Sequence, residues 1–282
     1  MSFNRCCLTD PELYALLQED APYGDLTVET LVIGDCPAEI TFHVRDDMVI
    51  CGIEEAARLL QLSGAEVRLH AATGQQGVAG TPLLSASGSV DALFTAWKVA
   101  QSLVESLSGV STAARQIVSR AGSAGVACTR KHLPGIKALM VKAVKAGGAV
   151  MHRYGLSESI MVTAEHRTFL QATEAERYLT RLQGLQPEKK IVVETDDVES
   201  ALALVQQGCQ VIQLEKLTPV QVARVVAEAH RMQDGWRPVI AAAGGINARN
   251  AADYAAAGAD LLVTSAPYFT KPRDVQVRFA PL

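Results

Sequence analysis

From residue 124 onward, short apolar runs recur at 124–128, 148–151, 160–163, 191–193, 211–214, 239–243 and 261–263, with helical stretches between most of them. The runs are near-continuously apolar rather than alternating, as in strands covered on both faces of a parallel sheet. The rhythm predicts about seven strand–helix units, one short of a full eight-stranded barrel. A doubly wound open sheet uses the same units, and periodicity leaves both topologies open.

The first part of the chain is patterned differently. Residues 11–17 and 54–62 read as helices, 38–50 as one strand or a pair, and 65–71 as another strand, while the glycine-punctuated 74–88 reads as turns between strands. Leu93, Trp97, Ala100 and Val104 fall at helical spacing within 90–107, and a second helix is expected after Gly109, running to about Arg120. This pair is placed as a bridge between domains. No internal repeat or low-complexity tract is visible.

Composition narrows the function classes. A chain of 282 residues, 49% hydrophobic, can bury a sizeable core in one large or two moderate domains. A formal net charge of −4 and a pI near 5.9 argue against nucleic acid or an anionic membrane as partner, so any anion binding must be local. No apolar run is long enough to span a bilayer, and MSFNRCCLTD lacks the apolar stretch of a signal peptide, so a cytoplasmic protein is expected. The six cysteines, Cys6, Cys7, Cys36, Cys51, Cys128 and Cys209, have no CxxC spacing. They are read as free thiols rather than a disulfide framework or zinc site.

Chemistry gathers where the barrel-region runs stop. In order these ends carry Arg130 and Lys131, His152 and Arg153, Thr163 with Glu165 and His166, Glu194, Glu215, Gly244 and Gly245, then Thr264 and Ser265. The cations suit phosphate, diphosphate or carboxylate, and an arginine can grip either bidentately. Glu194 and Glu215 suit hydroxyls or a magnesium ion carrying diphosphate, since that cation takes oxygen ligands and keeps waters. After Ala243, the Gly244–Gly245 turn and a helix expected near Ala248 offer backbone N–H groups to a terminal phosphate, with Thr264 and Ser265 opposite. Two plainer arrangements stand beside this one. Arg130 and Arg153 can pair with Glu194 and Glu215 and leave no vacant site, and the glycines can form a simple tight turn. Asp20 and Asp25 are read as turn or helix-capping residues around Pro22 and Gly24.

The stretch TRKHLPGIKALMVKAVKAGGAVMHR resembles the central signature of the quinolinate phosphoribosyltransferase, or nicotinate-nucleotide pyrophosphorylase, family. EDAPYGDLT, SLSGVSTA and AAGGI resemble its other motifs in the right order. Within the family the chain is most similar to the ModD proteins, pyrophosphorylases by name that are associated with molybdenum transport. The resemblance implies a type II phosphoribosyltransferase-like α/β fold: an amino-terminal α/β sandwich with helical connector over 1–112, an incomplete seven-stranded α/β barrel over 113–268, and 269–282 returning to the first domain.

It also implies a reaction in which a ring nitrogen attacks phosphoribosyl pyrophosphate and diphosphate leaves with Mg²⁺. Lys131, Glu194 and Glu215 match residues around the donor, the two glutamates also being the expected magnesium ligands, directly or through water. Arg130, His152 and Arg153 match residues that hold the acceptor's carboxylates. A homodimer with shared active sites is implied, with 90–112 at the contact and no nucleic-acid or membrane partner.

The departures are as informative. Thr163 stands where the family's LIKxNH has an acceptor-binding lysine, and Lys98 where an arginine reaches the neighbouring subunit's site. Ala241 replaces the glutamate of LEASGGI, Glu215 an aspartate, and Lys216 the asparagine after it. Losing one charge-assisted contact weakens a dicarboxylate by about one to two orders of magnitude, so the acceptor is expected not to be quinolinate. The competing expectation is a non-catalytic binder of a phosphate ester or a molybdate-like oxyanion on the same fold.

Overall fold

The structure, a computed structural model, describes residues 5–171, 174, 177–231 and 236–282. It divides into two units that are not consecutive blocks of sequence. The first comprises Met1–Arg115, His132–Gly148 and Pro267–Leu282, and the second Gln116–Lys131 and Ala149–Ala266.

The first unit is built on a four-stranded antiparallel sheet. Strands β1 (Pro37–Val44), β3 (Glu66–Leu69) and β5 (Pro82–Ser89) follow in chain order, and the chain's last strand, Val275–Pro281, pairs antiparallel with β1 at the edge. β1 alternates buried and part-buried positions, so only one face enters the core. That face, with Ile40, Phe42, Val44, Leu84 and Ala86, packs with helices α1 (Asp10–Asp20) and α3 (Ile53–Leu62). A two-stranded ribbon of β2 (Met48–Val49) and β4 (Gln76–Gly77) lies between β1 and β5 in sequence. Residues 74–88, expected as turns, contain most of β5, because Leu83, Leu84 and Ala86 find a buried face beside β1. In the EDAPYGDLT motif, Asp25 caps α2 (Leu26–Leu31), accepting from the N–H groups of Thr27 and Val28 at 2.8 and 3.0 Å.

One helix, α4 (Val90–Val118), replaces the two expected over this stretch. Gly109 does not break it: a Cβ at that position would lie 2.6 Å from the Lys271 carbonyl oxygen, so the glycine marks a close backbone approach. The SLSGVSTA motif serves the same helix. Ser108 and Thr112 accept from the N–H groups of Cys51 and Val49, and Ser111 donates to the Val49 carbonyl. Further into this unit, Lys142 on α5 (Lys137–Ala146) is buried against Glu54 and Glu55, at 2.9 and 2.7 Å. Burial alone would lower the lysine's pKa, but the two carboxylates outweigh it and raise it. The Cys7 N–H donates to Glu55, and the Cys6 thiol donates to the Glu54 carbonyl, so the adjacent cysteines are tied to this cluster.

The second unit carries all seven parallel strands anticipated from the apolar runs: β6 (Gly125–Cys128), β7 (Val150–Met151), β8 (Ile160–Val162), β9 (Ile191–Thr195), β10 (Val211–Glu215), β11 (Val239–Ala243) and β12 (Leu261–Thr264). Their lateral order is β7-β6-β12-β11-β10-β9-β8. Read from β8, the order rises through β12 and then returns to β6 and β7, so the first strand of the series lies beside the last. A doubly wound sheet would reverse direction at a central switch point, so the topology is that of a barrel. The barrel is incomplete: among the described residues, no ladder joins β7 to β8. Helices α6 (Ala164–Thr168), α7 (Tyr178–Leu185), α8 (Val198–Gln206), α9 (Pro219–Ala229) and α10 (Ala251–Ala256) fall between the later strands. Among the described residues, no helix is long and apolar enough to cross a membrane.

Candidate active site

Parallel strands end on the same side, so residues that follow them converge although they are distant in sequence. Here they line a cavity of about 890 Å³ within the second unit. Arg130, Lys131, His152, Arg153, Thr163, Glu194, Glu215, Ala243, Gly244, Gly245, Thr264 and Ser265 all face it, together with Glu165, Gln213, Lys216 and Asn247. Lys98 is not among its lining side chains. It lies on α4 in the first unit, with its ammonium 3.9 Å from the centre of the Trp97 ring and 3.2 Å from the Gln101 side chain.

Strand order gives the mouth an electrical polarity. Neighbouring β6 and β7 end on Arg130, Lys131, His152 and Arg153, while neighbouring β8, β9 and β10 lead to Glu165, Glu194 and Glu215. No ion pair within 4.0 Å joins these cations to these carboxylates among the described residues. The two halves therefore do not saturate one another. Burial lowers the pKa of His152, and the adjacent Arg153 adds to the effect, leaving a neutral imidazole at pH 7. Arg153 is itself lowered by burial and by Arg130, the signature of two guanidiniums facing one space. Across the cavity, burial and then Glu215 raise the pKa of Glu194. Cations predominate in one half of the mouth and carboxylates in the other, with Lys216 after β10 and Glu158 near His152 and Arg153 as the exceptions.

Between the halves, β11 and β12 supply a turn suited to phosphate. Gly244 and Gly245 have φ of +87° and +80°, a conformation that side chains disfavour. A Cβ on Gly244 would also lie 2.7 Å from the Lys216 backbone nitrogen and 2.9 Å from Glu215 Oε1. The side-chain amides of Asn247 and Asn250 donate to the Gly245 carbonyl at 2.9 and 3.2 Å, fixing the turn. Thr264 is buried; its hydroxyl donates to the Ile246 carbonyl at 2.6 Å and accepts from the Ala266 N–H at 3.0 Å. It braces the turn, which leaves Ser265 as the available hydroxyl. The expected helix near Ala248 begins only at Ala251 and is six residues long, so the turn's own N–H groups, not a helix dipole, recommend the site.

Four side chains escaped the sequence reading. Gln213 lies in the continuous apolar run of β10, in register with Glu194 on β9 and Ala241 on β11. Its amide donates to Glu194 Oε2 at 2.6 Å. A lone amide inside a buried strand was the available signal. Arg167 donates to the Glu194 carbonyl at 3.0 Å and holds the same strand end from outside the cavity. Asn247 and Asn250 carry no motif-level signal beyond their place after the glycines. Thr163 caps α6, its hydroxyl 2.8 Å from His166 Nδ1.

Fold and cavity together define a parallel α/β-barrel protein whose mouth sets a cluster of cations beside a carboxylate-lined wall. Profiles of the quinolinate phosphoribosyl transferase amino- and carboxy-terminal domains match residues 25–108 and 110–278. A protein of Rhodobacter capsulatus named "Putative pyrophosphorylase ModD" is 47% identical over 249 residues, covering 87% of this chain and 95% of that protein. One of the same name from Pasteurella multocida is 37% identical over 275 residues, covering 95% and 96%. The crystal structure of NadC from Streptococcus pyogenes superposes with a TM-score of 0.86 at 22% identity, over 98% of this chain and 99% of that one, which shows a shared fold. The chain belongs to the quinolinate phosphoribosyltransferase family, a family of pentosyltransferases, and is similar to its ModD members.

Proposed function

We propose that this protein transfers the phosphoribosyl group of phosphoribosyl pyrophosphate to a ring nitrogen of a heterocycle other than quinolinate, releasing diphosphate. The observation that carries the reading is the divided mouth, with Lys131 and the Gly244–Gly245 turn for phosphates and Glu194 and Glu215 on the adjoining wall of the same cavity. A pure oxyanion binder has no use for the two carboxylates. In the reaction, the nitrogen lone pair forms the new bond to the anomeric carbon as the bond from that carbon to the diphosphate oxygen breaks. The electron pair leaves on diphosphate. Positive charge then grows on the ribose beside Glu194 and Glu215, and negative charge grows beside Lys131. No protein nucleophile is required; positioning and charge stabilisation do the work.

The carboxylate pair fits Mg²⁺. Glu215 contributes to raising the Glu194 pKa, a repulsion that a bound cation relieves. Among the described residues, no cluster of three or more His, Cys, Asp or Glu side chains forms a dedicated cage. An ion held there by one or two carboxylates, waters and substrate phosphates would neutralise charge on the leaving diphosphate. Arg130, Arg153 and His152 would hold the acceptor's anionic group. The working form is a homodimer with Lys98 serving the partner's site, and the reaction is associated with molybdenum transport, a reading supported by the resemblance to the ModD proteins.

Isothermal titration with phosphoribosyl pyrophosphate tests the reading. Binding is expected to require Mg²⁺ and to weaken at least ~10-fold in Lys131→Ala and Glu215→Ala, the loss of one charge-assisted contact. Absence of binding, with tight binding of molybdate instead, would establish the non-catalytic alternative.

A further inference from the structure

If the protein transfers phosphoribosyl groups as proposed, the wall opposite the cations defines the chemistry of the acceptor. The β8 and β9 wall carries hydrogen-bond acceptors: the exposed Glu165 carboxylate, which already takes one hydrogen bond from Thr163, and the half-buried Glu194 carboxylate. Lys131 reaches Glu194 electrostatically from the cavity, but the basic side chains of α6 do not turn inward. His166 is bound to the Thr163 hydroxyl and Arg167 to the Glu194 carbonyl, and neither lines the cavity. Lys216, after β10, packs its Cγ against Gly244 and so belongs to the phosphate turn.

A second, independent observation lies on the cavity floor. Gln213 is 3% exposed, and its amide nitrogen is committed to Glu194. Its Oε1 is buried without a hydrogen-bond partner while the residue lines the cavity. An orphaned buried carbonyl oxygen is costly, and a ligand N–H or O–H satisfies it. Ala241, directly beside it on β11, is too small to provide that donor.

We infer that the acceptor is a heterocycle with a carboxylate or similar oxyanion at one edge and an N–H donor, an exocyclic amine or ring N–H, at the other. The oxyanion edge faces Arg130 and Arg153, and the donor edge faces Glu165 and the Gln213 oxygen. Quinolinate fails this requirement because a second carboxylate would face carboxylates. Glu165 and Gln213 thus set specificity by repelling one acceptor class as well as attracting the other.

The test is titration of the full-length protein with quinolinate, nicotinate, 2-aminonicotinate and 6-aminonicotinate, each with and without phosphoribosyl pyrophosphate and Mg²⁺. At least one aminonicotinate is expected to bind ~10-fold or more tightly than quinolinate. Glu165→Gln should shrink that ratio several-fold, and Thr163→Lys with Glu165→Lys should reverse it. Gln213→Leu should weaken the aminonicotinate while leaving nicotinate within about twofold, a split that a general structural defect would not give. Equal or tighter binding of quinolinate, failure of all four to bind, or variants that shift every ligand alike would overturn the inference. Intact Mg²⁺-dependent binding of phosphoribosyl pyrophosphate in the same preparation would then confine the failure to the acceptor. Loss of both would strike the transfer reading itself.

Discussion

His152 shows how a single side chain acquires its role from its surroundings. Burial, reinforced by Arg153, holds its pKa below the usual 6.5, so the free site presents a neutral imidazole. An acceptor carboxylate bound beside it would favour the imidazolium, and binding would then take up a proton. Affinity for nicotinate is therefore expected to rise as pH falls from 8 towards 5.5, by at most ~10-fold per pH unit, and His152→Gln should flatten that rise. Titration across this range checks both. Arg130 and Arg153, always charged, provide the pH-independent part of the grip. At this scale the sequence was readable wherever a charged residue closed an apolar run, because a buried strand must release a charge at its end. Gln213 was not readable in the same way. Its contribution depends on the residues beside it on β9 and β10's other neighbour β11, and neither adjacency exists along the chain.

Among the elements, α4 departs most from its periodic pattern. Ser108, Val110, Ser111 and Thr112 around Gly109 are weak helix formers, and intrinsic propensity marks this stretch as a break. Tertiary packing overrides it, since the bare backbone at Gly109 is what admits the Lys271 carbonyl. Gly109→Ala gains about 1 kcal/mol of helix propensity but forces apart two backbones, so a net loss of about 1–2 kcal/mol is expected in urea denaturation. A stabilised variant would show that the helix has room to shift. The same logic separates β5 from the turns expected around it: its Gly and Ser residues conceal a strand that only pairing with β1 and β3 makes evident. For the seven barrel strands, sequence and structure agree because continuous burial needs continuous apolarity whatever lies next to it.

For the whole molecule, strand order decides the chemistry. Placing β6 beside β7, and β8, β9 and β10 in succession, sorts most of the cations to one half of the mouth and the carboxylates Glu165, Glu194 and Glu215 to the other, with the phosphate turn between. Lys98, absent from the cavity lining of its own chain, bears on assembly. If sites are shared in a homodimer, unfolding and refolding an equal mixture of Lys98→Ala and Lys131→Ala proteins, each impaired alone, should restore about a quarter of wild-type sites. Activity no higher than the average of the two parents would show that each site is complete within one subunit. Sedimentation of the wild-type protein provides the accompanying oligomeric state.

Local chemistry along the chain was enough to announce seven covered strands, the charges at their ends and the glycine turn, since each depends on a run of residues and its immediate stop. Which ends become neighbours, where the barrel stays open, how Thr264 is consumed in bracing a turn and why Gln213 keeps an unused oxygen all depend on lateral pairing. Lateral pairing joins segments tens of residues apart, and one-dimensional periodicity has no means of expressing it.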